Sequence, residues 1–300
     1  MIKEGFMSTK FKIVFGFLLF VEILLLASLF FGNINIQVLN PQGPIARQER
    51  DLIIVATLIM LVIVVPVFFS IFFTARKYRE GNKSVDRSNK LRGNRLIEFS
   101  WWIGPIIIVA VIATITWKAT HKLDPYNPIH SNVEPVRIQV IALQWKWLFI
   151  YPEENIATVN FIQFPKGVPV NFELTSDAPM NSFWIPSLSG QIYAMTGMST
   201  KLHLLADREG DYPGSAAEIN GIGFSGMKFI ARSSTQEQYD LWVEGVKRGN
   251  KRLASAQYDR LVIPTTNQPA MFYSTVESNL YNKVIMKYMN TADSKMHHHE

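Results

Sequence analysis

Two uncharged apolar runs, residues 52–75 and 99–117, constrain this chain more than anything else in it. They hold 24 and 19 residues without an Asp, Glu, Lys or Arg. As helices rising about 1.5 Å per residue they are about 36 and 28 Å long, close to the hydrocarbon thickness of a bilayer. Neither run has the polar face that a helix on the outside of a soluble core presents to water. The reading is a transmembrane helical hairpin over residues 52–117. Pro66 and Pro105 fall inside the two spans, where neighbouring groups can take up the carbonyls that a proline frees. Trp101, Trp102 and Trp117 stand near the ends of the second run, as an interfacial aromatic belt does.

The net charge of +6 raises the question of nucleic acid. Its location answers it. Between the runs lie eight basic residues (Arg76, Lys77, Arg79, Lys83, Arg87, Lys90, Arg92, Arg95) and three acidic ones (Glu80, Asp86, Glu98), so this loop alone carries +5. A basic loop between two spans is a topology signal that places it in the cytoplasm, with a contact to lipid headgroups as a secondary role. No nucleic-acid partner is expected, and the lipid bilayer is. Everything after Trp117 then lies on the extracytoplasmic side.

An earlier apolar block, residues 13–31, follows Lys3, Lys10 and Lys12 and is interrupted by Glu22. It is longer than the apolar run of a secretory signal, and no small-x-small cleavage site follows it. A retained anchor is favoured over a cleaved signal, and both remain open. Residues 1–51 are therefore an apolar anchor or signal with a polar linker. Zero cysteines exclude disulfides, thiolate nucleophiles, iron–sulfur clusters and thiolate copper sites.

Residues 124–135, with three prolines, form the linker into a second domain over 125–234. From Val136 the hydrophobic period becomes twofold: Val136, Ile138 and Val140; Val168, Val170, Phe172 and Leu174; Leu202 and Leu204 around His203. Half-buried strands at this density, separated by turn-rich stretches such as 186–190 and 211–214, give a β-sandwich. At Thr235 the pattern turns helical. Thr235 and Gln238 form a capping-box pair, and Tyr239, Trp242, Val243 and Val246 follow at helical spacing. A second helix carries Tyr281, Val284, Ile285 and Tyr288 on one stripe. Residues 235–290 are expected to be a small helical C-terminal arm, and 291–300, ending in His297, His298 and His299, a disordered tail. Three histidines can hold a metal, but a frayed end is a poor site.

Specific strings narrow the class. The segment 180–188, Met-Asn-Ser-Phe-Trp-Ile-Pro-Ser-Leu, resembles the first copper-ligand segment of subunit II of the haem–copper oxidases. The stretches 214–221, Gly-Ser-Ala-Ala-Glu-Ile-Asn-Gly, and 224–227, Phe-Ser-Gly-Met, resemble its second. Residues 144–147, Gln-Trp-Lys-Trp, resemble the aromatic run before the second strand. With Gln-Ile-Tyr-Ala-Met at 191 and Gly-Phe-Ser-Gly-Met-Lys-Phe at 223, the closest form is subunit II of cytochrome bo-type ubiquinol oxidases, over about residues 45–290. The fold this implies is a membrane α-helical hairpin plus an all-β cupredoxin-like sandwich with the helical extension.

The departures from the copper-bearing pattern decide the expected chemistry. At the two bridging-thiolate positions stand Ala216 and Asn220, and at the histidine positions Asn181 and Phe224. Only Glu218 and Met227 keep the pattern. A carbonyl and a thioether do not replace two soft thiolates, so this chain is expected to bind no metal and no cofactor. Trp145 and Trp147, which lie under docked cytochrome c in copper-bearing relatives, become core or surface aromatics. What the resemblance then implies is a subunit of a proton-translocating terminal oxidase in a bacterial inner membrane, with its C-terminal domain on the periplasmic side. It is expected to dock on a large subunit I that holds two haems and one copper, beside small membrane subunits. The complex would take ubiquinol as its substrate and would not take cytochrome c.

Glu98, six residues before Gly104-Pro105, resembles the subunit II glutamate at the cytoplasmic mouth of a proton channel. Read from the residues alone, it is a helix-start carboxylate favoured by the helix dipole. Two alternatives accompany the main reading. One is a purely structural anchor. The other is a copper module built from the thioethers of Met180, Met195, Met198 and Met227.

Overall fold

The computed structural model describes residues 36–78 and 95–296. The block 13–31 with Glu22, most of the basic loop, and the terminal histidines lie outside the described residues. The chain divides into two compact units. One contains residues 52–119, and the other residues 37–51 and 120–300.

The first unit consists of the apolar lengths of α1 (Pro44–Lys77) and α2 (Arg95–Lys122). Both are long and apolar enough to cross a membrane, and their most apolar stretches bury nothing. Phe68 and Phe69 are each 68% exposed and Trp101 75%. A helix clothed all round in such side chains suits a lipid solvent and not water. The hydroxyls inside it close onto their own helix, Thr57 Oγ1 donating to the Ile53 carbonyl at 2.7 Å and Thr114 to that of Ala110 at 2.8 Å. Hydrocarbon offers no other partner.

The helix boundary differs from the expected one. Residues 44–51, read as linker, are the first two turns of α1, which starts at Pro44, the favoured place for proline in a helix. These turns belong with the second unit because polar contacts hold them there. The Gln42 N–H donates to the Ser187 carbonyl at 2.7 Å, and the Asp207 N–H to the Gln42 carbonyl at 2.9 Å. Arg47 pairs with Asp207 at 2.7 Å. A scan for uncharged runs misses such a start, since Arg47, Glu49, Arg50 and Asp51 interrupt it.

The second unit is a sandwich of two sheets. Its strands are β1 (Val136–Leu143), β2 (Lys146–Tyr151), β3 (Ile156–Val159), β4 (Phe161–Pro165), β5 (Val170–Ser176), β6 (Asn181–Trp184), β7 (Ile192–Ala194), β8 (Thr200–Leu204), β9 (Gly210–Ala216) and β10 (Lys228–Ser234). The C-terminal arm adds α3 (Gln236–Lys247), β11 (Arg252–Leu253), α4 (Ser255–Val262), β12 (Met271–Tyr273), β13 (Thr275–Val276) and α5 (Leu280–Met296). One sheet runs β12-β3-β2-β1-β5-β8 and the other β4-β10-β9-β6-β7. The pairs β1–β5 and β4–β10 are parallel, as in a Greek-key sandwich and not a simple meander.

Between the sheets lies an aromatic centre. Phe183 stacks on Phe229 with ring centroids 4.9 Å apart, and Trp147 meets Phe183 edge-on at 5.3 Å. Phe149 and Phe172 complete the cluster. Burying each such side chain contributes about 1.5–3 kcal/mol. A second core forms on the outer face of β1 and β2, where Ile141, Leu143, Leu148 and Ile150 meet Tyr258, Leu261, Tyr281 and Val284 of the arm. That is why residues 140–143 and 147–151 are apolar without alternation. Both faces of these strands are covered, as in any strand buried between two layers.

The arm is helical as expected, through α3, α4 and α5, and adds short strands. It supplies β12 as an edge strand on β3 and the β11–β13 pair, and α5 continues past residue 290 to Met296. The capping residue is as read, Thr235 Oγ1 accepting the Gln238 N–H at 3.2 Å. Two buried polar groups fasten the arm. Lys146 Nζ donates to the carbonyls of Leu261 and Ile263, both at 2.8 Å, placing a cation at the negative end of α4. Burial lowers its pKa. The Asp177 carboxylate, fully buried, accepts from Tyr258 (2.7 Å), Tyr288 (2.6 Å) and Lys287 (2.7 Å). Burial, with this charge beside it, holds the Tyr258 phenol well above its usual pKa.

The stretch 211–214, read as a turn, lies within β9. Ala216 donates its N–H to Met227 in β10's direction, so by the alternation of a strand the N–H groups of odd-numbered residues point away from β10. Pro213 is odd-numbered, and β6 reaches β9 only at Ser215 and Ala216. Proline is tolerated where no ladder bond is lost.

Candidate functional site

The matched metal-ligand segments come together at one end of the sandwich. Asn181 opens β6 and is fully buried, while Ala216 closes β9 at 6% exposure. The register sets Phe183 opposite Ala216, so both segments are fixed by the sheet. Beyond Ala216 the chain loops through Glu218 and Asn220, makes a 3-10 turn at Phe224–Gly226, and reaches buried Met227. The Ala216 N–H donates to the Met227 carbonyl at 3.0 Å and the Ala217 N–H to that of Ser182 at 2.8 Å. These two bonds close the base of the loop.

Within it the side chains bond to each other. Asn220 Nδ2 donates to Asn181 Oδ1 and lies 3.7 Å from the Met227 sulfur. Asn181 Nδ2 in turn donates to the Pro179 carbonyl at 2.7 Å. Of the six positions singled out in the sequence, the structure unites Asn181, Asn220 and Met227 by side chain and Ala216 by backbone. Phe224 instead packs, partly buried, against the sandwich core. Glu218 is half-buried on the loop.

Trp145 underlies this loop. Its backbone is left-handed, φ 62°, and its indole N–H reaches the Asn220 carbonyl at 3.4 Å. A Cβ at Gly221 would meet the indole at 3.2 Å and one at Gly223 at 2.3 Å. Gly221 also has φ +118°, which only glycine adopts readily. Trp147 is wholly buried in the aromatic centre. The sequence reading assigned both tryptophans to core or surface. It missed that Trp145 is the platform of the loop, although the Gly-x-Gly spacing at 221 and 223 was a signal of close approach.

The donor set does not fit a dinuclear copper centre. Bridging thiolates are required there because soft sulfur shares the electron between both metals, and the chain has no cysteine at all. What stands in their place is a methyl group and a neutral amide whose N–H is aimed at the thioether. Among the described residues, no three His, Cys, Asp or Glu side chains lie close enough to share an ion. Met227 is fully buried, whereas Met180 and Met198 are 43% and 54% exposed, an uneven set for a shared thioether site. Glu98 sits in the first turn of α2, exposed.

A pair of apolar helices and a two-sheet sandwich, with Ala216 and Asn220 at the positions that the resemblance assigns to thiolates, are the features of a subunit II of the haem–copper oxidase class. Residues 153–234 match the family described as cytochrome C oxidase subunit II, periplasmic domain, and residues 247–292 match the COX aromatic rich motif. Cytochrome bo(3) ubiquinol oxidase subunit 2 of Pseudomonas putida is 45% identical over 287 residues, 96% of this chain and 90% of the relative. Its namesake in Pseudomonas aeruginosa is 45% identical over 89% of this chain and 81% of the relative. Ubiquinol oxidase subunit 2 of Acetobacter aceti is 40% identical over 88% and 86%. The chain belongs to the ubiquinol oxidase subunit 2 family.

Proposed function

We propose that this chain is the subunit II of a proton-translocating ubiquinol:oxygen oxidoreductase that itself carries no redox centre. It docks on a large subunit holding two haems and one copper, beside smaller membrane subunits, in a bacterial inner membrane. The observation that supports the reading is the Asn181–Asn220–Met227 cluster, in which two amides and a thioether bond to one another in the segments that resemble the copper-ligand loops. A lipid-soluble donor oxidised within the membrane removes the need for an electron relay there. The basic loop and the two apolar helices support an orientation with the sandwich on the periplasmic side.

Copper tests the missing centre. The complex purified through this chain should retain no copper on subunit II after chelator washing, and added copper should give no near-infrared mixed-valence band. Stoichiometric copper that survives the wash, and persists when residues 297–300 are removed, would contradict the reading.

Glu98 carries the proton-entry part. An exposed carboxylate in a first helical turn collects protons from water, and its removal costs the helix only about 0.3–1 kcal/mol. Glu98→Ala and Glu98→Gln should therefore leave assembly and haem content near normal and slow reduction of the partner's oxygen-binding centre, where each arriving electron needs a proton. Glu98→Asp should be milder. If Ala and Gln variants both match the parent rate across pH, the chain acts only as an anchor.

A further inference from the structure

A cleft of about 250 Å³ opens in the second unit between the first turns of α1, the chain leaving α2 and the turn after β6. Its walls carry two opposite charges, Glu49 and Lys122. Glu49 is half-buried and seated on the Gly190 N–H, which donates to its carboxylate. A Cβ at residue 190 would lie 2.6 Å from Glu49 Oε1, so glycine there leaves the carboxylate its place. Among the described residues Glu49 has no ion pair, its neighbours Arg47 and Arg50 being turned to Asp207 and Asp51, each at 2.7 Å. His203, buried on the same wall, has Nδ1 2.6 Å from Asn171 Oδ1, and burial with Lys201 nearby lowers its pKa. It stays neutral. Asp124 is exposed and folds back on its own loop, accepting the Tyr126 N–H at 3.0 Å. A carboxylate drawn partly out of water without a cation is unfavourable, and this one lines an open cleft.

We propose that this cleft holds the headgroup of an ethanolamine phospholipid, its ammonium on Glu49 and its phosphate on Lys122. The inference goes beyond the proposed function and needs from it only that the two apolar helices enter a bilayer. Chain continuity sets the depth. Glu49 precedes the uncharged run of α1 by three residues, and Lys122 closes α2 five residues after Trp117. A rise of about 1.5 Å per residue keeps both close to the hydrocarbon boundary, where headgroups lie. Charge selects the headgroup. A primary ammonium brings three N–H donors to a carboxylate, and a phosphate accepts from lysine. Phosphatidylglycerol brings an anion and no cation, which leaves Glu49 unpaired. A choline ammonium has no N–H to donate and is held by aromatic cages, and among the described residues no Phe, Tyr or Trp lines this cleft. An uncharged quinol leaves both charges unmatched. A soluble ester of phosphoethanolamine carries the same charges, but Ile45, Leu123 and Ile129 on the walls favour one with acyl chains attached.

Lipid retention tests it. The full chain is held in nanodiscs of equal parts phosphatidylethanolamine, phosphatidylglycerol and phosphatidylcholine, doped with ubiquinone, then released into mild detergent for native mass spectrometry. It should carry one ethanolamine lipid. Glu49→Gln and Lys122→Gln should each lower the apparent affinity about tenfold, since each removes one charge-assisted contact. Glu244→Gln, exposed on α3, should retain lipid like the parent. Denaturant midpoints, followed by tryptophan fluorescence, separate loss of lipid from loss of fold, and the exposed Lys122 carries the test if Glu49→Gln unfolds. Soluble glycerophosphoethanolamine should displace the lipid only at about a hundredfold excess or more, because it buries no acyl chain. Equal retention of the three lipids would overturn the inference, since it marks general contact with the bilayer. So would parent-like retention in both Glu49→Gln and Lys122→Gln, retention of ubiquinone in place of lipid, or displacement by the soluble ester at equal concentration. None of these readouts uses a haem-containing partner or oxidase turnover, so failure here and failure of the proposed function are told apart.

Discussion

Phe183→Ala is expected to destabilise the sandwich unit by about 3–5 kcal/mol, the usual cost of removing a buried phenyl group that its surroundings cannot replace. Phe183 is fully buried and touches four aromatic partners. It stacks on Phe229 at 4.9 Å and meets Trp147 and Phe172 at 5.3 Å and Phe149 at 6.2 Å. Those rings come from both sheets, so collapse into the void requires the sheets to move together. Against a typical total of about 5–15 kcal/mol the loss is a large fraction of folding stability. Tyr193→Ala, cross-strand from Ser182 and 44% exposed, should cost no more than about 0.5 kcal/mol, as a surface change does. Denaturant unfolding followed by tryptophan fluorescence reads both. A Phe183 loss no larger than that at Tyr193 would mean that the inter-sheet cluster is not the core.

The same residue shows how the sheet core positions the loop of the candidate site. Phe183 lies two residues from Asn181 and opposite Ala216, so the sheet core holds both segments together. The Asn181–Asn220 bond and the Trp145 platform add to what the sheet supplies.

How far the chain could be read from its residues depended on the range of each interaction. The two apolar helices were legible because a span must be continuous and uncharged. The sandwich strands were legible where one face is polar, as at Val136, Ile138 and Val140. Local capping at Thr235 was legible because it involves neighbours three residues apart. The start of α1 at Pro44 was not, since contacts with Ser187 and Asp207 hold those turns. Nor was the strand at 211–214, because proline there is licensed by the absence of a neighbour on one side. The edge strand β12 and the Asp177 cluster were equally hidden. Asp177 meets Tyr258, Lys287 and Tyr288 across 81, 110 and 111 residues, and no periodicity reports such a pairing. At the candidate site the residue types were legible from resemblance. Their mutual bonding, and the Trp145 platform beneath them, required the structure.

Donor choice tests the central claim most directly. On the proposed function, Ala216 and Asn220 stand in place of two thiolates and Asn181 and Phe224 in place of two imidazoles, and an electron from a soluble haem protein would find no landing point on this chain. Oxygen consumption should be measured on the complex purified through this chain, once with a short-chain ubiquinol and once with reduced cytochrome c as sole donor. The account predicts rapid, inhibitor-sensitive turnover with the quinol and a background rate with cytochrome c. Rapid turnover with cytochrome c as the only donor would contradict it.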